Sequence, residues 1–318
     1  MMLFVTAATF ASPSVQQASA PPQSAVADAR SLVDAGKLDE AEELLRRHLV
    51  TEPRSPDGHF LLGYVLFRKI QEDARRERGS GHSQATREAA KASLAAYAEG
   101  SRYRDLSAFD LKIAALDQSL VGDLMSADQL LTRSVAANPS DAEAWYYLGR
   151  TKYTENRFEE AVHAFQQCLA LEPRNVRAQD NLGLSYAGLG RADDATAAYE
   201  AAIAWQAQRT DLDAGPFLNL GTLFVEQNRP RDAVPPLLRA IEIAPGDARA
   251  HEQLGKAYGH LDESSRAQSE LEIAVRLDPE SAPLHFMLGQ AYRKAGLIDK
   301  AKAEFARSAA LNATPSAR

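Results

Sequence analysis

In a chain of 318 residues, a hydrophobic fraction of 45% and a charged fraction of 25% match soluble globular averages, which excludes wholesale disorder and a membrane bundle. The formal net charge of −7 argues against a nucleic-acid partner, because affinity for phosphates comes from clustered Lys and Arg. A single cysteine, Cys168, provides neither an intrachain disulfide nor a cysteine-ligated metal site.

Residues 1–20 read as a signal peptide. They carry no charge, and Leu3 to Ala11 is an apolar run long enough for the core of such a segment and too short to span a bilayer. Small residues follow, with cleavage expected after Ala11 or near Ala18-Ser19-Ala20, although the usual basic segment ahead of the run is missing. The pattern predicts a periplasmic or secreted protein, with a cytoplasmic location as the alternative. It also predicts no integral membrane segment in the mature chain.

Between residues 21 and 107 two divergent helical units start at Pro22 and Pro56. The second carries a charged insertion near 72–87, which predicts a helix extension followed by a flexible loop at Gly79 to Ser83. From 108 to 315 the units are regular, starting at Ala108, Ala142, Val176, Ala214, Ala248 and Ala282. In the clearest of them, Trp145 and Leu148 mark a first helix and Asn156-Arg157 breaks it. A second helix places Ala161, Phe165, Cys168 and Leu171 on one stripe, and Pro173 ends it. Cys168 thereby reads as a small core residue rather than a nucleophile. Four extra residues, Thr210 to Asp213, follow the fifth unit. Pro230, Pro235 and Pro236 then crowd the next helix, which predicts that it starts near Val234 or kinks there.

Three ladders share this register. Leu-Gly recurs at Gly63, Gly149, Gly183, Gly221, Gly255 and Gly289; the last four spacings are 34, 38, 34 and 34, and the first, 86, is two periods plus an insertion of 18. Alanine follows each glycine of the regular array at Ala161, Ala195, Ala233, Ala267 and Ala301, and proline recurs at Pro53, Pro139, Pro173, Pro245 and Pro279. In pattern the chain resembles the tetratricopeptide repeat family, whose Trp, Leu-Gly, Ala, Phe and Pro positions are met by Trp145, Leu148/Gly149, Ala161, Phe165 and Pro173. The resemblance implies an all-α, right-handed α-solenoid of about eight stacked helix-turn-helix repeats, in which each hairpin buries its stripe against its neighbours.

No catalytic constellation stands out, so the sequence reads as non-enzymatic and without cofactor or metal. His59, His251 and His285 occupy the slot of Trp145 and read as packing residues, too far apart to share one ion. Acidic pairs such as Glu159/Glu160 sit at the starts of second helices, where they favour the helix dipole. Arg75, Arg76 and Arg78, interleaved with acids, read as a solvated face, with a docking patch for an acidic partner as the alternative.

The family resemblance implies that first helices line a concave face. There, the residue before Leu-Gly is an amide in three consecutive units: Asn181, Asn219 and Gln253. An amide carries a donor and an acceptor, so such a ladder can hold an extended peptide backbone. Tyr146, Arg150, Tyr153, Arg177, Asp180, Arg249, Glu252 and Lys256 are expected in the same groove. A clamp for a C-terminal carboxylate is incomplete, because Tyr147 and Leu116 replace polar groups. The expected function is a non-catalytic protein-binding scaffold or adaptor that holds a peptide or protein segment in the groove, in a bacterial envelope if the leader acts. The alternatives are a self-assembling structural protein, pairing through the end near Leu297, Ile298 and Phe305, and the targeting subunit of a separate enzyme.

Overall fold

A computed structural model describes residues 24–76 and 83–313. The expected signal peptide and all but Ser83 of the expected Gly79 to Ser83 loop lie outside the described residues. Every regular element in the described residues is an α-helix, and the chain divides into two compact bodies, Met1–Asp105 and Leu106–Arg318. The first body holds the hairpins α1 (Ala25–Asp34) with α2 (Leu38–Thr51) and α3 (Pro56–Arg76) with α4 (Gln84–Gly100). In the second, α5 (Ala108–Val121) pairs with α6 (Leu124–Ala137), α7 (Ala142–Thr154) with α8 (Phe158–Leu171), and α9 (Val176–Gly188) with α10 (Ala192–Gln206). Its last three hairpins are α11 (Gly215–Glu226) with α12 (Pro230–Ile243), α13 (Ala248–His260) with α14 (Ser264–Leu277), and α15 (Ala282–Lys294) with α16 (Ile298–Ala313).

Local chemistry explains where each hairpin starts and turns. Asp141, Asn175 and Asp247 cap α7, α9 and α13 by accepting a backbone N–H one turn in. Within the hairpins the chain reverses through one left-handed residue: Gly36, Gly122, Gly190 and Gly296, or Asn156, Asn228 and Asp262, at φ between 56° and 89°. Only glycine, and next Asn or Asp, adopts that conformation readily. The turn then closes as a Schellman motif, for example with Asn156 N–H on Tyr153 O and Arg157 N–H on Lys152 O, both at 2.9 Å.

The ladder glycines let a bulky residue of the second helix lie directly on the first. A Cβ on Gly149 would stand 2.7 Å from the Phe165 ring, and one on Gly183 would stand 2.5 Å from Tyr199. Leu237, Leu271 and Phe305 do the same over Gly221, Gly255 and Gly289. In the first body Gly63 faces Tyr97, where the insertion lengthens the step by the same 18 residues. Ala161, Ala195, Ala233, Ala267 and Ala301 are all buried on the second helices of these hairpins, as are Ala41 and Ala127 on α2 and α6.

The Trp/His slot does more than pack. Trp145 Nε1–H donates to Pro139 O at 2.9 Å, and the Nε2 atoms of His59, His251 and His285 reach Pro53, Pro245 and Pro279 O at 2.8, 3.3 and 3.0 Å. In these four units a ring N–H ties the first helix to the proline turn before it, whereas Leu111, Gln179 and Phe217 fill the same slot in α5, α9 and α11. His251 and His285 also meet Glu270 and Glu304 through Nδ1, at 2.7 and 2.6 Å.

One sequence expectation is corrected here. Helix α12 starts at Pro230, in the first turn, not near Val234, and runs through Pro235 and Pro236. Those prolines deprive the carbonyls of Arg231 and Asp232 of their helical donors, but both residues are exposed, so water can satisfy them. Leu237 and Ala240 remain buried on the opposite side.

In the second body the first helices also touch one another in series, α5–α7, α7–α9, α9–α11 and α11–α13. Side-by-side first helices form one continuous face. No described helix is long and apolar enough to cross a membrane.

Candidate functional site

The face made by α7, α9, α11 and α13 carries the residues expected in the groove, but their roles differ. Tyr146 is 6% exposed; its ring lies 5.4 Å from Tyr147 and 6.0 Å from Phe165. Over that same ring stand two guanidiniums, Arg150 at 5.9 Å and Arg177 at 5.0 Å from its centre. Tyr153 instead packs its ring on Phe158, 5.5 Å away, at the turn into α8. Lys256 pairs with Glu252 at 2.6 Å on its own helix, and Arg249 is exposed at the start of α13.

The amide ladder is partly committed within the chain. Asn181 Nδ2 donates to Arg177 O at 2.8 Å, back onto its own helix. Asn219 Nδ2 donates to both carboxylate oxygens of Asp180, at 2.9 and 3.1 Å. Gln253 is half-buried with no side-chain hydrogen bond among the described residues, so its donor and acceptor stay open to a ligand. Asp180 is 8% exposed, and burial pushes its carboxyl up to about 7. The Asn219 bond opposes that shift, Asp213 adds to it, and Arg249 opposes it. Glycine at 215 leaves room for this arrangement, since a Cβ there would meet Asp180 Oδ2 at 3.1 Å.

Beside this face the four extra residues open a cavity of about 1100 Å³. Pro173, Val176, Leu212 and Ile243 form its apolar wall, and Arg174, Arg177 and Arg209 stand around it. Gln206, fully buried at the end of α10, pins the added loop with two bonds: its Nε2 donates to Asp213 O at 3.0 Å, and Asp213 N–H donates to its Oε1 at 2.7 Å. No composition or motif signal marked Gln206 or Arg174; the four-residue surplus was the sequence trace of the cavity. Burial, and next Glu172, push the Cys168 thiol up to about 11, which keeps it protonated near neutral pH. Among the described residues no cluster of three or more His, Cys, Asp or Glu is placed to hold a metal.

Family models described as tetratricopeptide repeats match residues 26–74, 142–175, 176–209 and 253–317, together more than half of the chain. The chain belongs to the tetratricopeptide repeat (TPR) superfamily. Among curated proteins, the PEX5-related protein of Homo sapiens is 36% identical over 74 residues, which is 23% of this chain and 12% of that protein. The peroxisomal targeting signal receptor of Candida albicans is 42% identical over 57 residues, 18% of this chain and 10% of the receptor. The matched stretches are therefore a small part of either relative. Among solved structures, the APC/C hetero-tetramer Cut9-Hcn1 superposes with a TM-score of 0.60 over 92% of this chain and 53% of that chain, at 15% identity, a likeness of fold alone. On the first helices of this TPR chain, Gln253, Arg150, Arg177 and Arg249 make no side-chain hydrogen bond or ion pair among the described residues.

Proposed function

We propose that this TPR protein is a non-catalytic scaffold or adaptor that holds an extended peptide or protein segment along the first helices of its second body. One observation carries the reading: α7, α9, α11 and α13 stand side by side and present open polar groups next to a cavity of about 1100 Å³. Relatives named as receptors for a targeting signal support a role in holding a segment of another protein. A photo-crosslinking side chain placed at Asn181 or Gln253, and as a control at the exposed Arg239 of α12, tests it against a library of short peptides. Crosslinks from the groove positions are expected; crosslinks from Arg239 alone would refute it.

Self-assembly is the second reading, because Phe286, Leu297 and Ile298 are 49%, 39% and 48% exposed at the last hairpin. Sedimentation that changes with protein concentration, and stops changing in Ile298→Glu, would support it. Placement in the periplasm or outside the cell is likewise a proposal, supported by the apolar run from Leu3 to Ala11.

A further inference from the structure

We infer that the segment held in the groove is acidic, its carboxylates seated on Arg150 and Arg177 above Tyr146 and on Arg174 at the neighbouring cavity. This inference rests on the groove reading above and specifies the chemistry of the occupant. Several cations of the second body are neutralised within the chain, while others, such as Arg133, Arg231 and Arg276, have no carboxylate partner among the described residues. Lys112, Lys152, Arg157, Arg191 and Lys256 each have a carboxylate oxygen within 2.9 Å. Arg150, Arg174 and Arg177 have none among the described residues, although the chain carries a net charge of −7.

Their placement concentrates the imbalance. Arg150 and Arg177 come from consecutive first helices and face one tyrosine ring, at 5.9 and 5.0 Å. The ring face compensates part of each charge, and two guanidiniums beside it still present fork-shaped donors suited to a carboxylate. Neighbouring acids do not supply one. Glu143 is bound to Lys112 at 2.8 Å, and Asp180 is buried against Asn219. Around the cavity the pattern repeats. Glu172 accepts from Asn175 at 2.7 Å, Asp211 pairs with Arg209 at 2.6 Å, and Asp213 Oδ1 accepts Gly215 N–H at 2.8 Å. Of these carboxylates only Asp211 is paired with a cation, yet none stands within ion-pair distance of Arg174 or Arg177. Its wall of Pro173, Val176, Leu212 and Ile243 fits an apolar side chain next to the acid. Charge complementarity therefore selects a segment with acidic and apolar residues in alternation.

Fluorescence anisotropy on the full chain tests this with three short fluorescein-labelled peptides, each with an amidated C-terminus. In the first, Glu and Asp alternate with Leu and Ala; in the second Lys replaces every acid; in the third Gln does. The acidic peptide should bind best and weaken as salt rises to about 0.15 M. Arg150→Gln with Arg177→Gln should weaken it by about tenfold, and Arg150→Lys with Arg177→Lys by less. The exposed arginines should leave the thermal melt unchanged; if the glutamine variant fails to fold, the lysine variant against the parent carries the comparison. Unchanged affinity of the acidic peptide in the folded glutamine variant would overturn the inference. So would preferred binding of the Lys or Gln peptide with crosslinks at Asn181, which would leave the groove reading standing. No crosslink from the groove with any of the three peptides would overturn both.

Discussion

A single added methyl group should disturb this molecule at Gly183 and leave it untouched at Gly246. Beside the Tyr199 ring there is no room for a Cβ, whereas Gly246 has nothing within 4 Å. Gly183→Ala should destabilise by about 1–3 kcal/mol through overpacking. Gly246→Ala should stay within about 0.5 kcal/mol of the parent, and urea melts of both variants make the comparison. The spacing of Leu-Gly revealed that glycine was required; which ring lies on it depended on the second helix folding back. Asp180 shows the opposite case, a residue whose behaviour no spacing predicts. Its carboxyl is held at about 7 against an ordinary 3.8, so the folded chain keeps a proton that the unfolded chain releases. Stability must then fall as pH rises through about 4 to 7. Asp180→Asn keeps an acceptor for Asn219 and removes that loss. The variant should exceed the parent by on the order of a few kcal/mol above about pH 7, with the gap closing below about pH 4. A gap that does not change with pH would show that Asp180 is charged throughout in the folded chain.

At the scale of the element, the loop after α10 depends on Gln206. Two hydrogen bonds to Asp213 from a buried amide set the path of the four extra residues and so the opening of the cavity. Gln206→Ala should cost about 1–3 kcal/mol, because it empties a fully buried side-chain site and removes the two hydrogen bonds that hold the loop. It should also speed tryptic cleavage after the exposed Arg209 relative to cleavage elsewhere in the second body; an unchanged digest would mean that the loop is held by other contacts. The sequence located this departure by counting residues between ladders and gave no sign of what fixes it. Helix α12 teaches a related point. Two interior prolines suggested a later helix start or a kink, and the start is at Pro230: their lost bonds fall on solvent-facing carbonyls, while Leu237 keeps its place over Gly221. Burial of one face outweighed a local breaker on the other.

Within the second body the inner hairpins are stabilised by neighbours on both sides, and the last one has a described neighbour on one side only. Helix α16 buries little beyond Ala301 and Ser308, and Leu297 and Ile298 stand exposed at its start. Amide hydrogen exchange should therefore be faster in 298–313 than in 158–171, where Ala161, Phe165 and Cys168 are fully buried. Equal protection in the two helices would point to cooperative unfolding of the whole body, or to a partner copy covering the end.

The sequence by itself determined the eight hairpins, their register and the small residues at their crossings, because the repeat is a local code: each ladder position meets its partner within the same or the adjacent unit. The tertiary structure alone decided which groove groups are free. Asn219 is taken by Asp180, 39 residues away, Lys112 by Glu143, 31 away, and the loop backbone by Gln206, while Arg150 and Arg177 gather on one ring. Side chains of the same type at equivalent positions look alike in a sequence. What separates them is distance in space, because hydrogen bonds and ion pairs act over a few ångströms regardless of the length of chain between the partners.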